Sequence, residues 1–329
     1  MPAGSRITHH ASLAPLRERR AGLLFVAPAL IGLLAFTAYP VLASLYYSFC
    51  RYSVLRPPQW IGGANYARLM TDSLFWKSLG NTLYYGALAV PLGIVVALGL
   101  ALLLNAKVRG MAFYRTCFYV PSIVPLVASA VLWLWLFNPQ SGAVNYLLRA
   151  SGLLALLERT GLTTWTHRLF GADWPPGWFA SPFWAKPAII LWSVWGVGGA
   201  MVIYLAGLQD VPQELYEAAE IDGASAWQRL RHVTLPMISP HLLFTLIMGL
   251  IGAFQFFTPA YVMTGGRGGP VDQTMFYSLY LFQAAFADFK MGYACAMAWI
   301  LFALIVLATV LIFRTSARHV YYAGEAREE

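Results

Sequence analysis

Six long stretches of the chain contain no Asp, Glu, Lys or Arg: residues 21–50, 78–106, 116–148, 187–209, 232–266 and 291–313. Together they make up just over half of the chain, and the next longest such stretch, 273–287, is much shorter. A helix needs about 20 mainly apolar residues to cross a bilayer. The pattern therefore predicts an all-α membrane protein with six transmembrane helices, near 22–49, 78–104, 116–137, 187–207, 242–264 and 291–313. Outer-membrane strands would alternate with period two over about 10 residues, and these runs do not. Pro28, Pro40, Pro91, Pro121 and Pro125 fall inside the spans. Each frees backbone carbonyls, which in lipid are re-satisfied by neighbours or line a cavity. A simple kink is the alternative for any one of them.

Composition closes off other classes. Apolar residues are 59% and charged residues 11% of 329, against about 25% charged in an average soluble domain. A soluble fold could not hide that much apolar surface, and disorder is excluded on the same ground. Arg17, Arg19 and Arg20 ahead of the first run resemble the start of a signal peptide, but the run continues to Phe49. That exceeds an h-region of about 7–15 residues, so a span is expected. Cys50, Cys117 and Cys295 lack CxxC spacing and predict neither a disulfide framework nor a zinc site. The net charge of +8 is the flanking charge of membrane spans and implies no nucleic-acid partner.

Placement of that charge predicts orientation. Arg17–Arg20, Lys107, Arg109, Arg115, Arg314 and Arg318 lie close to span ends, where positive charge marks the cytoplasmic side. Both termini are then cytoplasmic, as tails 1–20 and 315–329 around a six-span domain 21–314. Loops 51–77, 138–186 and 265–290 face outward, and loops 105–115 and 208–240 face inward. Trp60, Trp76, Trp165, Trp174, Trp178 and Trp184 crowd the outer segments, as an interfacial belt does. Segment 172–187, with four prolines and three tryptophans, reads as a folded external loop.

The spans lack the groups that self-powered carriers use as relays or ion ligands. Most intramembrane enzymes also need titratable groups near the chemistry. His232 and His241 are isolated and read as packing residues. None of the four lysines follows a glycine, so no GxxxxGK[ST] phosphate loop exists. The glycine-rich stretch 265–270 reads as an external turn. No cofactor is expected. A membrane-embedded transferase and an ion channel stand as alternatives; neither acidic or histidine chemistry nor a filter-like repeat supports them.

Loop 208–240 stands apart. Pro212 suits a first helical position, and Gln213 and Glu214 follow. The helix is expected to run through Ala218 and Ala219 to Asp222, with Gly223 as the left-handed residue that ends it. Ser225 and Gln228 form a capping box for a second helix, which Pro236 is expected to stop near Val233. Ala218 and Ala219 leave a small ridge, and Glu214, Glu217 and Glu220 place acid at near-helical spacing. Anionic lipid would repel three glutamates, so a partner protein with basic residues is expected.

Glu217-Ala218-Ala219, then Asp222-Gly223-Ala224, then Leu235-Pro236 resemble the EAA loop of binding-protein-dependent ABC importer permeases. The resemblance extends to Ile61-Gly62-Gly63-Ala64-Asn65-Tyr66, Asn81-Thr82, Arg109-Gly110, Phe137-Asn138-Pro139, Gly142 with Asn145, Gly269-Pro270 and Gly292-Tyr293-Ala294. These are similar to motifs of carbohydrate-uptake permeases, including maltose, lactose and glycerol-3-phosphate systems, and the chain resembles the maltose F-type subunit. The resemblance implies the type I importer fold in a bacterial cytoplasmic (inner) membrane. It also implies a second six-span permease, two ATPase subunits and an extracytoplasmic binding protein. Residues Glu214, Glu217, Ala218, Ala219, Asp222, Gly223 and Ala224 would couple the chain to the ATPase. For the substrate, Gln255, Thr258, Tyr261 and Thr264 are expected as a drifting polar stripe on one face of span five, suited to a neutral polyol.

Overall fold

The computed structural model describes residues 16–106 and 108–316, with side chains from Gly22 onward. The expected tails beyond these limits and Lys107 lie outside the described residues. The Leu16–Leu33 helix begins inside the stretch read as a tail.

Three helices are long and apolar enough to cross a membrane: Gly22–Ser48, Ser73–Leu104 and Met291–Ser316. Three bent pairs bring the number of spans to six. They are Met111–Ile123 with Leu126–Leu136, bent by 98°; Ala185–Trp195 with Gly198–Gln209, by 46°; and Ala226–Met237 with Ser239–Phe254, by 67°. The Ser73–Leu104 helix is the central strut. At 1.5 Å per residue it is about 48 Å long, more than the hydrocarbon core of about 30 Å. It joins the two ends of the bundle. Asp72 caps its start, Oδ1 accepting from the Leu74 N–H at 2.9 Å. Pro91 sits inside it without breaking it.

Close approach by small residues holds the bundle, as expected where lipid removes the hydrophobic drive between helices. Ala97 and Ala101 are fully buried beside Met201 and Tyr204. A Cβ on Gly198 would lie 2.5 Å from the Phe118 carbonyl oxygen. Large side chains such as Phe25, Phe36 and Leu103 point outward. The first span is the most peripheral, with none of its apolar window buried.

Two expectations need correction. Span five ends at Phe254; residues 255–257 are irregular and a separate short helix, Thr258–Thr264, follows. The polar stripe is therefore not one helix face. Pro236 does not stop the second loop helix near Val233. A π turn, Leu230–Thr234, precedes it, and the Leu235 N–H bonds to the Leu230 carbonyl, five residues back. Proline has no N–H, and its ring meets the carbonyl four residues back in a regular helix; the wide turn shifts the register just ahead of it. The same device recurs at Leu34–Ala38, two residues ahead of Pro40. The helical fold expected from the sequence is observed, with a small hairpin added to it, Cys50–Ser53 with Arg56–Trp60.

Candidate coupling helix and central cavity

The Gln213–Ile221 helix lies at the Leu104 end of the central strut. Pro212 stands just before it with extended ψ of 133°, one position earlier than its sequence placement. Gly223 has φ +76°. Its N–H donates to the Glu220 carbonyl at 3.0 Å, and that of Ala224 donates to Ala219 at 2.9 Å. This pair of bonds is the Schellman arrangement. The Ser225–Gln228 capping box is complete.

The helix presents one face to the bundle and one to the outside. Tyr216 and Ala219 are half-buried, and the Tyr216 hydroxyl is 3.0 Å from Thr234 Oγ1. Leu215, Ala218 and Ile221 are exposed, Ile221 at 87%. Trp227 beyond the turn is 66% exposed. The Ala218–Ala219 ridge is thus divided between the two faces. Glu214, Glu217 and Asp222 are exposed, and Glu217 accepts from Gln213 Nε2 at 2.8 Å. Glu220 is engaged by Arg229 across the turn, so it is already paired within the chain. Sequence reasoning missed Leu215, Ile221 and Trp227. Apolar residues at i, i+3 and i+6 on an otherwise charged loop helix were the available signal.

The second site is a cavity of about 520 Å3 where the helices break. Its walls include Val124 and Leu126 beside the first break, Trp195 and Gly196 at the second, and Gln255 to Thr258 after Phe254. Ser193, Ser129 and Trp192 add polar atoms, and Trp192 Nε1 donates to Ser129 Oγ at 3.3 Å. Among the described residues, no acidic, basic or histidine side chain lines it. Pro121 and Pro125 flank the sharpest break, where the freed carbonyls can face a cavity. Gln255 and Thr258 reach this cavity. Tyr261 instead packs on Phe257 and Phe282. Thr264 accepts from the Gly268 N–H and donates to the Ala260 carbonyl. The broken helix separates the four residues into a lining pair and a packing pair.

At the opposite end, amide side chains tie loops together. Asn81 Nδ2 donates to the Asp272 and Met275 carbonyls at 2.8 and 2.9 Å. Asn145 Nδ2 donates to Pro139 and Pro176, and its Oδ1 accepts from Trp178 Nε1. Asp72 Oδ2 accepts from the Tyr280 and Tyr293 hydroxyls at 2.5 Å each. Burial alone raises its carboxyl, but these bonds and the Leu74 and Phe75 N–H groups outweigh it and hold the pKa below the usual value. Its partners lie over 200 residues away, which sequence reading could not show. Its place before Ser73 at the start of an apolar run was the readable half of the role.

A cavity without charged lining at breaks in spanning helices, with an exposed amphipathic helix at one end, fits a polytopic transport subunit. Residues 89–321 match the model of the binding-protein-dependent transport system inner membrane component, and the chain belongs to that family. It is 41% identical over 315 residues to the probable ABC transporter permease protein YesP of Bacillus subtilis, covering 95% of each chain. It is 35% identical to the lactose transport system permease protein LacF of Rhizobium radiobacter, covering 89% of this chain and 92% of LacF. A crystal structure of a bacterial ABC transporter that imports the acidic polysaccharide alginate shares the fold. The TM-score is 0.75 at 23% identity, covering 92% of this chain and 98% of that one. The chain is thus a permease, with the type I importer fold expected from its sequence.

Proposed function

We propose that this permease forms half of the path for a neutral sugar or polyol, in a bacterial inner membrane, powered by a separate ATPase. The cavity at the helix breaks carries the substrate reading. Its roughly 520 Å3 falls within the range of small-molecule sites. Its polar groups are hydroxyls and an amide, flanked by indole rings, which suits an uncharged polyhydroxyl ring rather than an ion. Relatives named as permeases of lactose and of trehalose/maltose transport systems support the same class.

The exposed Leu215–Ala218–Ile221 face supports docking into an ATPase groove, with Glu214 and Glu217 at the rim and the Gly223 turn fixing the angle. A second six-span permease, two ATPase subunits and an external binding protein complete the assembly. Both termini are then cytoplasmic. In a cysteine-free background, Val54→Cys on the hairpin should react with an impermeant thiol reagent on intact cells, and Arg109→Cys only after lysis. The opposite pattern inverts the orientation. Native Cys50 cannot report, because it is fully buried.

The deciding experiment is reconstitution in vesicles. ATP-driven accumulation of a neutral oligosaccharide should need all the partner subunits and should fall when Gln255 or Thr258 becomes Ala. The chain alone should neither hydrolyse ATP nor accumulate sugar. Uptake by the lone chain would overturn the assignment.

A further inference from the structure

A second recess, of about 440 Å3, opens at the Ser73 end of the central strut, away from both the cavity and the coupling helix. It sits where two spans end. The first span stops at Ser48 and the last helix starts at Met291. Its frame is fixed: Asn65 Nδ2 donates to the Ser48 and Cys50 carbonyls at 2.8 and 2.9 Å. A Cβ on Gly292 would collide with the Cys50 carbonyl. The hairpin is thereby clamped on the start of the last helix.

Arg51, Arg56 and Arg68 line this recess. Among the described residues, none of the three has a carboxylate partner. Arg68 lies over the Tyr293 ring, 5.4 Å from its centroid. Lys290 also lines the recess but is paired with Asp288 at 2.7 Å. The Asp72 carboxylate is taken by Tyr280 and Tyr293. Three arginines therefore line one recess without a paired carboxylate among the described residues, the nearby Asp288 and Asp72 being engaged by Lys290 and by the two tyrosines. The N-terminus of the 26-residue last helix adds partial positive charge.

Aromatic rings fix the depth. Tyr47 stacks on Tyr52 with centroids 4.5 Å apart, and Phe49 on Trp60 at 5.5 Å. Trp60 and Tyr46 are exposed beside them. Such rings sit at the headgroup level of a bilayer. We propose that this recess binds the phosphodiester headgroup of an anionic phospholipid, held by Arg51, Arg56 and Arg68. Guanidinium forks match phosphate oxygens in pairs. The acyl chains lie along the exposed faces of the helices that meet there, at Leu42 and Phe302. An acidic patch of a soluble partner would not need the two span ends or the ring belt.

The test needs no transport, so it fails or succeeds independently of the substrate reading. The full chain is purified in mild detergent and stripped of lipid. It is then offered phosphatidylglycerol or phosphatidylcholine, and bound lipid is counted by native mass spectrometry. The unaltered chain should retain phosphatidylglycerol in preference. An arginine near anionic headgroups is worth about a fivefold factor. R51Q/R56Q/R68Q should therefore retain at least about tenfold less phosphatidylglycerol, while R149Q/R159Q on the loop helices retains it. If the triple variant does not fold, Arg56→Gln alone should still lower retention severalfold. Equal retention by these variants and the unaltered chain overturns the proposal. So does displacement of the lipid by millimolar inorganic phosphate, which would mark a free-anion site. Loss of binding-protein capture with lipid retention unchanged would assign the arginines to a protein contact instead.

Discussion

Gly223 offers a clean perturbation of the proposed coupling loop. Its φ is +76°, and a Cβ built there meets nothing within 4 Å. A side chain at this position therefore costs only backbone strain, about 1–2 kcal/mol for a left-handed non-glycine residue. That corresponds to roughly a 5–30-fold shift in the ratio of formed to unformed turn. The turn is held by the Gly223 and Ala224 N–H bonds and by the Glu220–Arg229 pair. Gly223→Val, β-branched and least tolerant of positive φ, should take the full cost. Gly223→Asn should recover most of it, because asparagine visits this region readily. The assay is ATP-driven uptake by the reconstituted transporter, with the ATPase that co-purifies as a second readout. The Val variant should lose about fivefold or more in both, with membrane insertion unchanged, and the Asn variant should stay within about twofold. Equal losses for Val and Asn would mean that a side-chain clash with the partner, not backbone geometry, controls the loop. Full activity of the Val variant would refute the coupling role of the turn.

Other outcomes follow from single contacts. Glu217→Lys keeps the turn but places like charge at the rim, where a charge change acts mainly on the association rate and its salt dependence, so ATPase co-purification should drop, most at low salt, with suppressors arising in the ATPase. Gly292→Ala forces a methyl group into the Cys50 carbonyl and should destabilise the chain by about 1–3 kcal/mol, read as a lower thermal midpoint. Gly80→Ala, which meets nothing within 4 Å and sits inside a helix, is the control and should hold or raise the midpoint, through up to about 1 kcal/mol of helix preference. Because the Asp72 carboxyl is held below its usual pKa, its stabilisation is present above the unfolded value and is lost as pH falls through the folded one. The thermal midpoint should therefore decline on acidification below the usual carboxylate range, and Asp72→Asn should lower the neutral-pH midpoint while flattening that decline. An undiminished acid decline in the Asn variant would assign it to other carboxylates.

Much of this molecule is written in one dimension. Charge-free runs, long enough to cross a bilayer, locate the helical segments because lipid tolerates neither buried charge nor unsatisfied backbone. The Gly223 turn and the Ser225–Gln228 box were readable because each is closed by neighbours within a few positions. The outward face of the Gln213–Ile221 helix was only partly readable, since which side meets the bundle depends on Tyr216 reaching Thr234. The stripe from Gln255 to Thr264 misled because periodicity assumes an unbroken helix, and the chain leaves helical geometry at residues 255–257. What only the tertiary structure decided is which breaks share a cavity, which carboxylate serves as a latch, and which arginines lack acids. Asp72 meets Tyr280 and Tyr293, and Asn81 meets Met275, across nearly 200 residues or more. Such pairings are set by how whole helices pack through their small residues, and no local pattern of apolar and polar positions encodes that packing.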